Sequence, residues 1–110
     1  VCVDLKLVSS FDKDLDRVGL VSGASIYPFV WNLLLAARNE GLGGVLTTFL
    51  ANQEENARSL LGIPDHFAIA TMMGIGEPVK QLTKLKRNPV EDFTRVNGWD
   101  GDTFPPNGQG

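Results

Sequence analysis

The longest apolar segment of the chain lies between residues 26 and 37, which read IYPFVWNLLLAA. A helix on the surface of a small domain carries a polar stripe along its whole length. This segment is interrupted by Asn32 and turns polar only at Arg38–Glu40. The pattern therefore predicts a helix that is apolar on nearly all sides and that other elements must cover.

Capping residues define the ends of this predicted helix. Ser25 is a preferred N-cap residue, and Pro28 falls in the first turn, where its missing N–H costs little. Gly41 is the natural left-handed residue for the C-terminal end. A chain of 110 residues has little else with which to cover helix 25–41. We therefore expect this helix to lie at a subunit interface of an obligate oligomer.

Three further segments have the patterns of β-strands. Residues 1–8 alternate apolar and polar side chains, which is typical of a half-buried strand. Residues 45–49 are apolar and partly β-branched, which favours a second strand. Residues 67–75 are almost continuously apolar, which predicts a third strand that is buried on both faces.

A second helix is predicted between the last two strands. Asn52 and Glu55 have the spacing of a capping box, and Gly62 ends the segment just ahead of Pro64. Strand, long helix, strand, helix and strand follow each other in that order. This order indicates an α+β fold for residues 1–77.

The composition changes at Pro78. One helical turn is predicted at 90–93, and the rest of residues 78–110 has little capacity for regular structure. We expect a single domain over 1–110, with a core at 1–77 and an extended arm at 78–110. The glycines and prolines that punctuate the arm are Pro89, Gly98, Gly101, Pro105, Pro106, Gly108 and Gly110.

The connection over residues 9–22 is acidic. Aspartates alternate over 12–16, as they do at the start of a calcium-binding loop. Arg17 takes the place of the sharp-turn glycine of such a loop, and Gly23 takes the place of its bidentate glutamate. The sequence thus favours a solvated acidic loop, of a length typical of functional lids.

Charge and cysteine content narrow the class of protein. A net charge of −3 argues against nucleic acid or an anionic membrane as the main partner. No apolar segment reaches the length of about 20 residues that spans a bilayer. The single cysteine, Cys2, fits a reducing compartment, from which we predict a cytoplasmic protein. The chain starts at Val1, without methionine and inside strand-like sequence, so we expect a further N-terminal portion.

Two glycine clusters are candidates for ligand binding. Neither Gly41–Gly44 nor Gly74–Gly76 has the spacing of a dinucleotide-binding or P-loop motif. The first cluster follows a helix, so the negative end of the helix dipole points toward it and disfavours a phosphate. Two interpretations remain: a helix stop followed by a tight turn, and a bare backbone against which a flat ligand lies.

A basic segment of the arm is the other candidate. Lys80, Lys84, Lys86 and Arg87 carry four positive charges, which leaves −7 on the rest of a chain whose total is −3. Such a patch suits one anionic group such as a phosphate. It lacks the interleaved aromatic residues and the length of a nucleic-acid groove. A solvated basic arm that docks on the acidic surface of a partner is the alternative.

Conventional catalytic groups are scarce. His66 lies in a predicted turn and is interpreted as a turn or packing residue, and Cys2 has no histidine near it in sequence. No spacing of histidine and cysteine residues predicts a metal site. We therefore assign no catalytic side chain and expect any redox chemistry to come from a cofactor.

The order and spacing of five short motifs between Ala24 and Phe93 resemble the C-terminal half of the nitroreductase family of flavin enzymes. No single motif is specific, and the succession carries the resemblance. The motifs are NLLLAA at 32–37, EGLG at 40–43, LLGIP at 60–64, G-x-P at 76–78 and R-x-P at 87–89.

The resemblance implies part of a three-layer α+β sandwich in a homodimer, paired through helix 25–41 and the C-terminal arm, with two FMN molecules at the interface. It also implies a flavin that takes a hydride from NAD(P)H and passes electrons to a nitroaromatic, quinone or similar small-molecule acceptor. By position, the resemblance implies that Glu40 and Gly41 lie by the flavin ring, with the Gly41 N–H at its N5/O4 edge. It implies that Arg87, with Lys84 or Lys86 beside it, binds the phosphate. The implied cofactor-binding residues are Glu40, Gly41, Leu42, Gly43, Lys84, Lys86 and Arg87.

The chain departs from the family pattern in two respects. The arginine/serine motif with which the family's N-terminal half grips FMN is not among these residues, and Trp31 stands where many relatives have glutamine. A non-enzymatic alternative therefore stays open, namely a flavin-sequestering or purely structural dimer of the same fold. A module that only pairs through its apolar helix is a third hypothesis.

Overall fold

The computed structural model describes residues 1–104. The predicted arm residues Pro105, Pro106, Gly108 and Gly110 lie outside the described residues. Two helices and two pairs of antiparallel strands confirm the α+β class. In chain order the elements are β1 (Cys2–Asp4), α1 (Ile26–Asn39), β2 (Gly43–Thr47), α2 (Glu54–Leu61), β3 (Phe67–Ile69) and β4 (Met72–Gly76).

Helix α1 ends as predicted, in a left-handed glycine. Gly41 has φ +80°, and its N–H donates to the Arg38 carbonyl at 3.0 Å. The Leu42 N–H donates to the Ala37 carbonyl at 2.9 Å. These two bonds form a Schellman motif, which satisfies carbonyl groups that the helix itself leaves without a partner.

The N-terminus of α1 differs from the predicted cap. Ser25 precedes the helix, but its backbone is helical (φ −88°, ψ −40°) and its side chain makes no capping hydrogen bond. A 3₁₀ turn at Val21–Gly23 precedes the helix, and Ala24 after it also has a helical backbone (φ −60°, ψ −32°). A side-chain cap needs an extended residue at this position, so the serine cap prediction was wrong in mechanism although close in place.

One stripe of α1 is buried. Val30 is fully buried, and Ala37 is buried one heptad later on the same side. Where the helix crosses β2, a Cβ on Gly44 would lie 2.6 Å from Leu34 Cδ2, so the glycine permits the close approach of the two elements. The packing of α1 within the chain is therefore one-sided.

The other side of α1 is apolar and exposed. We call Phe29, Trp31 and Leu35 the outer face of the helix, and these side chains are 51–57% exposed. The Cα radius of gyration is 18.8 Å, against about 13 Å for a compact chain of this length. The outer face of α1 is therefore left exposed by the chain itself, although the sequence pattern predicts that it is covered.

The strands form two separate antiparallel pairs. β1 pairs with β3, with Val3 opposite Ala68. β2 pairs with β4, from Gly43 opposite Gly76 to Thr47 opposite Met72. Helix α1 packs against β2, so the second pair is the one that positions the glycine residues.

The predicted strand over 67–75 was wrong in two respects. It is broken at residues 70–71, where the chain passes from one strand pair to the other. Thr71 is 1% exposed, and its Oγ1 donates to the Thr47 carbonyl at 2.9 Å, which holds the crossing point. Met72 and Ile75 in β4 are about half exposed, so β4 is not buried on both faces.

The first two strands have other bounds than predicted. β1 stops at Asp4, whose Oδ1 accepts the Lys6 N–H at 2.9 Å in a turn. β2 begins at Gly43, two residues before the predicted start, and a 3₁₀ turn at Phe49–Gln53 follows it. That turn contains Asn52, so the predicted capping box does not form.

Helix α2 is held by a glutamate other than the one predicted. Glu54 Oε1 accepts the Ile69 N–H at 2.6 Å and pairs with Arg58 Nη2 at 3.5 Å. A carboxylate in the first helical turn also suits the positive end of the helix dipole. At the other end Gly62, at φ +64°, confirms the predicted left-handed stop.

The loop over 9–22 is not simply a solvated acidic loop. Asp12 is 4% exposed, and its Oδ2 accepts the Arg17 Nη1 at 2.9 Å and the Leu20 N–H at 2.7 Å. The hydrogen bond from Leu20 is the largest cause that lowers the pKa of the Asp12 carboxyl below its usual range, against the opposing effect of burial. The neighbouring Asp14 and Asp16 are exposed, as predicted for the whole cluster.

The arm has little regular structure between residues 78 and 104. The predicted turn is present as a 3₁₀ turn at Val90–Asp92. A bridge between Arg95 and Thr103 closes a short loop further on. The division into a core and an arm, and the single domain, stay predictions.

Candidate functional site

The C-terminal end of α1 leads into a backbone surface with few side chains. We call Glu40–Gly43 the glycine turn. Gly43, the first residue of β2, lies directly opposite Gly76, the last residue of β4. A Cβ added to Gly41 or Gly76 would have nothing within 4 Å among the described residues, whereas one added to Gly43 would lie 3.1 Å from Pro78 Cβ. Bare main chain therefore faces open space at two of these glycines.

The N–H groups of the glycine turn point back into the helix cap. Those of Glu40, Gly41 and Leu42 donate to carbonyls of the last turn of α1 at 2.9–3.1 Å. The Gly41 N–H, which the family resemblance places at the edge of a flavin ring, is thus engaged with the Arg38 carbonyl. In this arrangement the turn offers carbon and carbonyl surface rather than an unpaired Gly41 donor.

One side chain of the arm contacts the glycine turn. Gln81 Nε2 donates to the Gly41 carbonyl at 3.3 Å and lies 3.5 Å from the Leu42 carbonyl. Gln81 Oε1 accepts a hydrogen bond from Arg38 Nη1. Arg38 Nη2 donates to the Leu82 carbonyl at 2.6 Å. The arm is therefore held against the end of α1, next to the open glycines.

The basic segment of the arm extends from this contact point. Lys84, Lys86 and Arg87 are exposed, and Arg87 Nη1 lies 3.4 Å from the Lys86 carbonyl. Within residues 1–104, the salt bridges are Arg17–Asp12 and Arg58–Glu54. The three cations are thus free of carboxylate partners in the described part of the chain, as an anion site requires.

The predicted site residues fall into two groups that the structure connects. Glu40, Gly41, Leu42 and Gly43 lie together at the end of α1, and Lys84, Lys86 and Arg87 follow Leu82 by two to five residues. The connection runs through Arg38 and Gln81. Within residues 1–104, no hydrogen bond or salt bridge joins Lys84, Lys86 or Arg87 directly to the glycine turn.

The sequence did not point to the residues that make this connection. Arg38 and Gln81 are 43 positions apart, and neither belongs to a motif. Arg38 could have been noted as a base in the last turn of a helix, where it suits the negative end of the dipole. Gly76 could have been noted as part of the second glycine cluster, although its pairing with Gly43 needs the strand register.

Outside the glycine turn and the basic segment, residues 1–104 contain few side chains suited to catalysis or metal binding. The His66 ring lies 4.7 Å from the Phe67 ring, centroid to centroid, in keeping with a packing role. Cys2 is exposed on β1. Residues 1–104 contain no group of three or more potential metal-ligating side chains. Among the same residues, neither helix is long and apolar enough to cross a membrane.

Comparison with known proteins identifies the protein family of this chain. The sequence model of the nitroreductase family matches residues 14–77, more than half of the chain, so this chain belongs to the nitroreductase family. The match includes α1, the glycine turn and both strands that meet beside it.

One curated relative is the NADPH-flavin oxidoreductase of Vibrio harveyi. It is 27% identical over 100 residues, which cover 87% of this chain and 42% of the relative. The chain therefore spans less than half the length of this relative.

Proposed function

We propose that this protein is an FMN-dependent oxidoreductase that takes reducing equivalents from NAD(P)H. The proposed acceptor is a nitroaromatic, a quinone or a similar small molecule. Membership of the nitroreductase family and the similarity to an NADPH-flavin oxidoreductase support the flavin and the nicotinamide donor. The observation that carries the proposal is the contact between the glycine turn and the basic arm through Gln81.

The glycine turn fits one edge of a flavin ring. Gly41 and Gly76 leave open space where any other residue would place a Cβ. A planar aromatic ring packs closely on a backbone of this kind because no side chain stands between them. The residues proposed to lie against the ring are Glu40, Gly41, Leu42 and Gly43.

The basic segment fits the phosphate of FMN. A guanidinium group binds phosphate with two hydrogen bonds, and lysine adds a point charge. Arg87, Lys84 and Lys86 are exposed and have no acidic partner in residues 1–104. Apart from the long bond of Arg87 Nη1 to the Lys86 carbonyl, no hydrogen bond engages their side-chain donors within these residues. FMN binding would therefore pair these cations with the dianionic group.

When bound, FMN would supply the hydride and electron transfer that no side chain of this chain offers. The chain's own contribution is binding and orientation. The bare glycine backbone leaves room for the ring, and the basic segment balances the phosphate charge. The Schellman motif fixes the glycine turn because its N–H groups are already satisfied by α1.

A second copy of the chain is the proposed partner. The outer face of α1 presents Phe29, Trp31 and Leu35 to solvent, in a helix whose opposite side is already packed on β2. Exposed apolar patches of this kind mark protein interfaces. We propose a homodimer through the helix at 25–41 and the arm, and the cytoplasmic location stays a prediction.

The test uses the full-length protein, purified without added flavin. The proposal predicts a yellow protein with the absorption bands of oxidised flavin, whose released cofactor is FMN. Anaerobic NADPH or NADH should bleach these bands, and an added quinone or nitroaromatic should restore them. A colourless protein that does not bind added FMN would contradict the proposal.

A second candidate is a flavin-binding dimer without turnover. It is favoured by the engagement of the Gly41 N–H in the helix cap, which leaves this donor unavailable to the flavin in the described arrangement. Trp31 in place of glutamine points the same way. Tight FMN binding with no bleaching by either nicotinamide would select this candidate over the first.

A further inference from the structure

We infer that Arg38 and Gln81 are positioning residues that place the cations of the basic arm for the phosphate of FMN. The inference rests on the proposed function and deepens it, because it assigns two residues outside both predicted groups of site residues. Neither residue is expected to touch the reacting atoms. Their role is to fix the distance between the glycine turn and the basic segment.

The two side chains form one continuous connection, which we call the arm clamp. Arg38 donates to Gln81 Oε1 and, at 2.6 Å, to the Leu82 carbonyl. Gln81 in turn donates to the Gly41 carbonyl at 3.3 Å. The arm is thus bonded to the last turn of α1 and to the residue proposed to lie under the flavin ring.

The arm clamp is the main polar attachment of this part of the arm. Within the described residues, the hydrogen bonds that join 78–88 to the rest of the chain, outside the strand ladders, come from Arg38 and Gln81. Gln81 is partly buried, whereas the residues that follow it through Val90 are exposed. The clamp therefore sets where the exposed basic segment begins.

Two of the five N–H donors of the Arg38 guanidinium group are engaged with the arm. Its Nη1 is directed at Gln81 and its Nη2 at the Leu82 carbonyl. A cation in the last turn is also attracted by the negative end of the helix dipole, which holds it at the end of α1. Its charge is used to fix the backbone of the arm.

The length of chain beyond the clamp limits where the cations can lie. An extended chain spans at most about 3.6 Å per residue. Fixing Leu82 therefore keeps the Cα of Lys84 within about 7 Å, and that of Arg87 within about 18 Å, of the Leu82 Cα. Without the clamp the nearest residue fixed by pairing is Gly76, at the end of β4. The corresponding limits from its Cα are about 29 Å for Lys84 and about 40 Å for Arg87, so the cations sample a larger volume.

The experiment compares FMN with riboflavin, which has the same ring but no phosphate. Dissociation constants of both are measured on the full-length apoprotein by flavin fluorescence quenching. The variants are Arg38→Gln and Gln81→Leu. Arg95→Gln is the matched control, because Arg95 lies on the same arm and its side chain, within residues 1–104, bonds to the nearby Glu91 and Thr94 carbonyls and not to the clamp.

We expect both clamp variants to weaken FMN binding about tenfold or more, since each removes the charge-assisted hydrogen bond between Arg38 and Gln81. Riboflavin binding should change less than about twofold, because the phosphate subsite does not contribute to it. Gln81→Leu tests the same connection without changing the helix, should Arg38→Gln disturb folding. Arg95→Gln should bind both flavins as wild type does.

Equal weakening of FMN and riboflavin would overturn the inference, because it would show a general structural role. Unchanged FMN binding in both variants would overturn it as well. Wild-type protein that binds neither flavin would overturn the proposed function and the inference together. The two failures are therefore distinguishable in one set of titrations.

Discussion

Gly41→Ala separates the structural role of this glycine from its proposed role under the flavin ring. Gly41 has φ +80°, a backbone conformation that costs an L-residue about 1–2 kcal/mol. A Cβ at this position would meet nothing within 4 Å in residues 1–104, so these residues add no steric cost to the strain. We therefore expect the free energy of unfolding to fall by about 1–2 kcal/mol.

Gly62→Ala is a matched control for the strain. Gly62 also ends a helix in the left-handed conformation, at φ +64°, and its Cβ would likewise meet nothing within 4 Å. It ends α2 rather than α1 and does not belong to the glycine turn. The two variants should therefore lose similar unfolding free energy in urea denaturation of the apoprotein.

FMN affinity should distinguish the two variants. A methyl group inserted into a close contact costs about 1–3 kcal/mol, which corresponds to an increase of about 5- to 150-fold in the dissociation constant. We expect this increase for Gly41→Ala and no change for Gly62→Ala in the same fluorescence titration. Equal FMN affinities for the two variants would refute the placement of the ring against Gly41.

Three further predictions concern the outer face of α1, the loop around Asp12 and the turn at Gly101. Trp31→Glu should raise the dimer dissociation constant at least about 30-fold in analytical ultracentrifugation, because interface tryptophans often contribute about 2 kcal/mol or more. Leu60→Glu, a control on the exposed surface of α2, should leave the dissociation constant unchanged. Because the pKa of Asp12 is lowered in the folded protein, its carboxylate stabilises the loop fully at pH values above about 4, the pKa of aspartate in the unfolded chain. This stabilisation is lost as the pH falls through the lower pKa of the folded state. Amide-exchange protection at Leu20 should therefore fall in acid, and in Asp12→Asn it should be low already at pH 7. Gly101→Ala should destroy the loop it closes, because its Cβ would lie 1.9 Å from a backbone oxygen, and unchanged amide exchange there would contradict this.

Features set by neighbouring residues were predictable from the sequence. Both helix ends at Gly41 and Gly62 were correct because a left-handed C-terminal glycine is recognised within one turn of chain. The apolar circumference of α1 was also informative. It predicted a helix covered at a subunit interface. Within the described residues the outer face of α1 is exposed, and the subunit interface stays a prediction.

Features set by distant residues were not predictable. The break at Thr71 depends on β1 and β2, which pair with the chain on either side of it. Its hydroxyl bond spans 24 positions. An apolar run carries no information about which partner each half will take, so one continuous strand was predicted.

The acidic loop and the candidate site also depend on contacts that the local sequence pattern does not reveal. Asp12, Asp14 and Asp16 look equivalent in sequence, yet only Asp12 is enclosed, because the loop folds back on it eight and nine residues later. The glycine turn and the basic segment were each visible as local patterns. The contact of Arg38 with Gln81 that joins them spans 43 positions and had no local sign.

The most direct test of the account is a crystal structure of the full-length protein with FMN bound. We expect the flavin ring within about 4 Å of the Gly41 backbone, in its own or the partner subunit. We also expect the phosphate within hydrogen-bond distance of Arg87, Lys84 or Lys86. A flavin bound away from the glycine turn, or a phosphate held only by other residues, would contradict the proposed site.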